Sequence, residues 1–229
     1  MPELKKIIAI IIFFLFTFPL NAHVEHYDNL NRIEFDIYRN NKNIGKHIFS
    51  FEKKDDELHV KSEINFEIKK LGVVLYRYHV KGTEIYKDGK LIKFNSKTNQ
   101  NGKEKFVNLI LGDDEQIIDG SSYQGKAPIE YLLGTWWNHS IVKAPAQISA
   151  VSGRIIKQKV TFLGKEDVKI GNKTYKTLHF NFSSTDKKLS KDKKLNTDIW
   201  YEEETLNWVK ASFQKKGDWQ YKLVSLDSF

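Results

Sequence analysis

Between His59 and Leu111 apolar and polar side chains alternate with a period of two, and turn dipeptides interrupt the alternation. Val60, Ser62, Ile64, Phe66 and Ile68 fall on one side of the period, and Lys61, Glu63, Asn65, Glu67 and Lys69 fall on the other. That is a strand with one face in water. Strands are predicted next over 73–86, 91–100 and 103–111, joined by Asp88-Gly89 and Asn101-Gly102. Asp, Asn and Gly accept the positive φ that two-residue hairpin turns demand, so the middle of the chain reads as an antiparallel meander.

The same period extends the meander in both directions. Upstream it covers 32–39 and 44–53, with a bulge expected near Gly45; downstream it covers 154–163, 168–170, 173–183, 197–201, 206–215 and 219–225. The run from Leu71 to Tyr78 is apolar at consecutive positions, as in a strand covered on both faces or at a rim where side chains dip into a lipid or a ligand; cover by neighbouring protein is the expectation. One stretch breaks the rule: after Pro128, the residues Ile129, Leu132, Leu133 and Trp136 have helical spacing. Proline suits a first helical turn, so a short helix ending near Asn138 is predicted, followed by a crossing loop to Gly153. A sheet of this many strands twists until it curls. The fold class is therefore all-β: a strongly curved antiparallel meander of about a dozen strands, half-barrel or barrel, with one short helix as plug.

Charge and composition place the chain in a compartment. Lys5 and Lys6 precede an apolar run from Ile7 to Phe16, and Pro19 to Ala22 closes it. This is the pattern of a secretory signal peptide over 1–22, leaving 23–229 as a single all-β domain and implying a periplasmic, exported protein. The apolar run is well short of the ~20 residues of a spanning helix. There is no Cys, which excludes disulfides, thiolate metal sites, a cysteine nucleophile and lipid attachment at a cysteine. The net charge of +8 comes almost entirely from Lys, the arginines being Arg32, Arg39, Arg77 and Arg154. Few arginines and an export signal argue against nucleic acid as a partner. Peripheral contact with an anionic membrane surface fits the excess of lysine.

Candidate chemistry is sparse. The histidines lack the paired spacing of a helical zinc motif, and no metal or cofactor is expected apart from the alternative of copper at His23 with His26. Gly120-Ser121-Ser122-Tyr123-Gln124-Gly125 fails the nucleophile-elbow pattern at Gln124. Glu84, Glu130 and Asp198 are carboxylates that acid–base chemistry could use, and His79 or His139 a partner for a serine.

Several short patterns resemble an exported bacterial β-protein family of unknown function. They are Gly45 with His47, Leu71-Gly72-Val73, Tyr76-Arg77-Tyr78-His79, Trp136-Trp137, Asp198-Ile199-Trp200-Tyr201, Trp208-Val209-Lys210, Phe213, Gly217 and Tyr221-Lys222-Leu223. The resemblance implies export and a β fold distantly similar to the half-barrels of periplasmic lipoprotein carriers, and it carries over no catalytic residue. The expected function is binding of a lipid-like or other lipophilic small molecule in a cavity of the curved sheet. Phe66, Leu75, Tyr76, Tyr78, His79, Trp136, Trp137 and Trp200 are the residues expected at that cavity or its mouth. The alternatives are an envelope hydrolase acting on glycan or ester bonds, and an envelope scaffold.

Overall fold

The computed structural model describes Tyr27, residues 29–190 and residues 193–228. The leader-like stretch, His23 and His26 lie outside the described residues. The described chain forms fifteen strands: β1 Leu30–Arg39, β2 Lys42–Lys54, β3 Glu57–Lys70, β4 Val73–Lys87, β5 Lys90–Gln100, β6 Lys103–Leu111, β7 Glu115–Gly120, β8 Tyr123–Pro128, β9 Leu132–Leu133, β10 Ala146–Ile148, β11 Ile155–Ile170, β12 Lys173–Ser184, β13 Asn196–Glu202, β14 Trp208–Gln214 and β15 Asp218–Ser228. They make one sheet in the order β8-β7-β6-β5-β4-β3-β2-β1-β15-β14-β13-β12-β11-β10-β9. Every pair is antiparallel except β9 with β10, and the β1–β15 pairing splices the two halves of the meander. The bulge falls at Ile44, where Ile37 pairs with Gly45 but Tyr38 pairs with Asn43.

The sheet is not closed by a ladder, since β8 and β9 are its edges. Its two ends nevertheless meet at one place. The Ser122 amide donates to Ser152 O at 2.8 Å, and Ser96 Oγ donates to Ala150 O at 2.6 Å. Gly120 makes this approach possible, because a Cβ there would stand 2.8 Å from Ser152 O. Behind the contact, Phe94, Val107, Leu109 and Ile118 pack with Leu133 and Ile148 from the other end of the sheet.

The alternation observed in the sequence sets the inner face. Ile33, Phe35 and Ile37, Phe49 and Phe51, Val60 and Phe66, and Ile199 and Tyr201 all point into one core. Trp137, Trp208, Tyr201, Phe35 and Phe49 are fully buried, so rings occupy the interior.

The expected plug helix is absent. Residues 129–138 instead leave β8, add the two-residue strand β9 beside β10, and turn inward; the described helical structure in this region is a 3-10 turn, His139–Lys143. Backbone pairing won over side-chain spacing. The Gly134 amide donates to Ile148 O at 2.9 Å, and Trp136 takes a left-handed conformation, φ 63°, that no helix contains. That turn sends both indoles to the core, while Ile129 stays exposed.

Because the strands run up and down, alternate connections share an end. Connections 40–41, 71–72, 101–102, 121–122, 149–154, 185–195 and 215–217 lie at one end, and 55–56, 88–89, 112–114, 129–131, 171–172 and 203–207 at the other. The described residues of the first set carry Arg154, Lys187, Lys188, Lys193, Lys194, Lys215 and Lys216 against one carboxylate, Asp186. The second set carries Asp55, Asp56, Asp88, Asp113, Asp114, Glu130, Glu203 and Glu204, and among its described residues no Lys or Arg. The molecule has a basic end and an acidic end.

Candidate functional site

The aromatic residues of the inner face form a chain of ring contacts that reaches the basic end. Phe66 stacks on Tyr78 at 4.8 Å between centroids and on Tyr76 at 6.1 Å, and meets the edge of Trp219 at 5.3 Å. Trp219 stacks on Phe213 at 5.8 Å, and Phe213 leads to Tyr221 at 6.3 Å. Trp136 closes the series, set edge-on to Trp208 at 5.6 Å and to Tyr221 at 6.2 Å. Gly45 is required here, since a Cβ would come within 2.5 Å of Phe66 Cβ. Beneath the rings His47 is buried and lacks a partner for Nδ1; the indole nitrogens of Trp136 and Trp208 also lack one. Desolvation pushes the His47 pKa down to about 3, so this imidazole is neutral throughout the physiological range.

Where this aromatic series reaches the rim, a half-open groove of about 820 Å³ begins. Trp136, Ile156, Leu195 and Phe213 supply its apolar lining. Arg154, Lys193, Lys194, Lys215 and Lys216 stand around it, and among the described residues no carboxylate lines it. The groove therefore combines an aromatic floor with a rim of one sign. Its parts come from the crossing segment, the start of β11, the connection before β13 and the β14–β15 turn. Burial anchors the floor: the Tyr201 hydroxyl donates to Trp136 O at 2.9 Å and fixes the backbone that presents the indole.

The residues expected at a cavity separate into three groups. Phe66, Tyr76, Tyr78 and Trp136 come together on the inner face. Trp137 is deeper, fully buried, and its Nε1 donates to both oxygens of Glu84 at 3.1 and 3.2 Å. Leu75, His79 and Trp200 are on the other face. Leu75 is exposed, His79 faces Glu63 at 3.0 Å, and Trp200 lies between His179, stacked at 4.2 Å, and Lys210 Nζ at 4.1 Å. Trp200 Nε1 donates to Glu166. Sequence reasoning connected the excess of lysine only with peripheral contact at an anionic membrane surface and missed the rim. The signal that could have found it is the parity of the turns, which puts Lys193-Lys194 and Lys215-Lys216 at one end.

The carboxylates suggested for acid–base work do not gather. Glu84 is inside the core, Glu130 lies in an acidic-end connection, and Asp198 accepts from Asn181 Nδ2 at 2.9 Å beside Trp200 on the outer face. His139 is buried edge-on to Tyr201 at 4.8 Å. Among the described residues no group of three His, Asp or Glu is placed to hold a metal ion.

The model of a domain of unknown function, DUF6134, matches residues 35–224. The chain belongs to the DUF6134 family. The matched span takes in every residue named in the aromatic series and the groove. No curated protein matches the sequence of this DUF6134 chain. Among solved structures, a β-barrel-like protein of a different domain of unknown function, DUF1849, from Brucella abortus is similar over 88% of this chain and 98% of its own, with a TM-score of 0.61 and 13% identity. That likeness is one of fold.

Proposed function

We propose that this DUF6134 protein is exported and holds an anionic amphiphile, an alkyl or prenyl chain ending in a carboxylate or phosphate, in the groove at its basic end. The observation that carries the proposal is the pairing of Trp136 and Phe213 with five cations, and among the described residues no carboxylate, around one open volume. Export is supported by Lys5-Lys6 and the apolar run after them. The groove at the rim, rather than a cavity enclosed by the sheet, is the volume this reading uses.

Magnitudes fit a reversible binder. Burying about six methylenes on the aromatic floor contributes roughly 5 kcal/mol. An exposed ion pair from the headgroup to one or two of the lysines adds about 0.2–1 kcal/mol each, and together these give a Kd on the order of tens of micromolar. A fluorescent fatty-acid analogue titrated into the protein, then displaced by dodecanoate or dodecyl phosphate, measures this directly. Reversing Lys193, Lys194, Lys215 and Lys216 to Glu should weaken both amphiphiles at least tenfold while leaving the unfolding midpoint in place. Equal binding by the reversed variant, or displacement by dodecanol as effective as by dodecanoate, contradicts the proposal.

A further inference from the structure

Six hairpin turns of the sheet have two residues and open on a positive φ: those starting at Asn40, Asp55, Leu71, Asp88, Asn101 and Gly171. Five open with Asn, Asp or Gly, the residues that tolerate this conformation. The sixth opens with Leu71, at φ 50°. A branched aliphatic side chain gains nothing in this turn for the fold, because Leu71 is 95% exposed and makes no core contact to offset the backbone strain. Val73 and Leu75 continue the apolar surface from the tip, at 62% and 55% exposure. A Cβ on Gly72 would meet nothing within 4 Å, so the tip projects freely.

Charge decides what the tip meets. Lys69, Lys70 and Arg77 flank it, and the one carboxylate among them, Glu67, is shared by Lys69 and Arg77 at 2.9 Å each. The tip lies at the basic end, on the same side of the molecule as Arg154, Lys193, Lys194, Lys215 and Lys216. An apolar point within a field of cations matches the boundary of a bilayer whose surface is anionic and whose interior is apolar. Sequence rules are broken locally where a surface is used.

We propose that the β3–β4 hairpin is a membrane-docking element that inserts Leu71 and Val73 below the headgroups of an anionic bilayer, with Lys69, Lys70 and Arg77 against lipid phosphates. Docking in this pose turns the basic end toward the membrane. It goes beyond the amphiphile groove and stands without it.

The absence of native cysteine makes the test clean. The protein in its natural processed form is sedimented with vesicles of phosphatidylcholine alone and of phosphatidylcholine with one-quarter phosphatidylglycerol. Binding is expected only to the anionic vesicles, falling at least tenfold in 0.5 M salt and at least tenfold in Leu71→Asn with Val73→Thr. Asn suits the turn, so that variant should unfold at the same temperature as the parent or higher. A polarity-sensitive fluorophore on Val73→Cys should shift to the blue on docking, whereas one on Asp113→Cys, at the acidic end, should not. Equal binding by the tip variant, or equal shifts at both positions, overturns the proposal. Binding to neither vesicle also overturns it, in favour of a protein partner. The groove-reversed variant separates the two proposals: unchanged fatty-acid binding in it, with the tip fluorophore still shifting, would refute the groove alone.

Discussion

Two buried titratable side chains oppose each other in this core. Desolvation raises the Glu84 pKa from 4.5 to about 7, even though the Tyr86 hydroxyl donates to it at 2.6 Å and the Trp137 indole supports it. Desolvation also lowers the His47 pKa from 6.5 to about 3. A raised carboxyl leaves the folded state holding a proton that the unfolded state has lost, so stability falls as pH rises from 4.5 to 7. A lowered imidazole does the reverse, and stability falls as pH drops from 6.5 toward 3. Between pH 4.5 and 6.5 the two effects cancel. Glu84→Gln removes one of them. Its stability relative to the parent should be near zero at pH 4.5, grow with pH, and level off above 7 at up to about 3 kcal/mol. Urea unfolding across that range measures the difference, and a pH-independent difference would show that Glu84 ionises normally in the fold.

Strands were legible in the sequence and their closure was not. The run from Val60 to Ile68 alternates so cleanly, and Asp88-Gly89 and Asn101-Gly102 mark their turns so plainly, that β3 to β6 could be drawn from residue order alone. The crossing segment misled because Ile129, Leu132, Leu133 and Trp136 have helical spacing for another reason. Leu133 packs against β5–β7 while Trp136 packs against Trp208, two different clusters reached by one irregular path. Nothing in the local pattern announces that Gly120 and Gly153 meet across the open edges. Gly120→Ala tests that contact, since the new methyl must push on Ser152 O. It should cost about 1–3 kcal/mol and abolish the exchange protection of the Ser122 amide. Gly102→Ala, at an open turn with φ 85°, should strain its own hairpin and leave Ser122 protected. Unchanged protection of Ser122 in Gly120→Ala would mean that the ends of the sheet do not depend on this contact.

For the whole molecule, the organising feature is the separation of charge between its two ends. Each cation pair lies in a different part of the chain, and their convergence needs the strand count to be right. Once it is, the net charge of +8 ceases to be a uniform lysine coat. The aromatic series from Tyr76 to Trp136 ends at the same pole, which gives an amphiphile both an apolar floor and counter-charges within one groove. The residues that carry the family resemblance sort themselves accordingly. Gly45, His47, Tyr76, Tyr78, Trp136, Trp208, Phe213 and Tyr221 build the aromatic series, and Trp200 braces the outside.

Tryptophan position makes the central claim measurable in one titration. Bromine quenches indole emission on contact, so 12-bromododecanoate reports which ring the alkyl chain touches. Saturable quenching is expected in the parent, and Trp136→Phe should remove most of it while Trp200→Phe leaves it intact. Quenching that does not saturate, or that disappears with Trp200 instead of Trp136, would contradict an amphiphile site at the basic end.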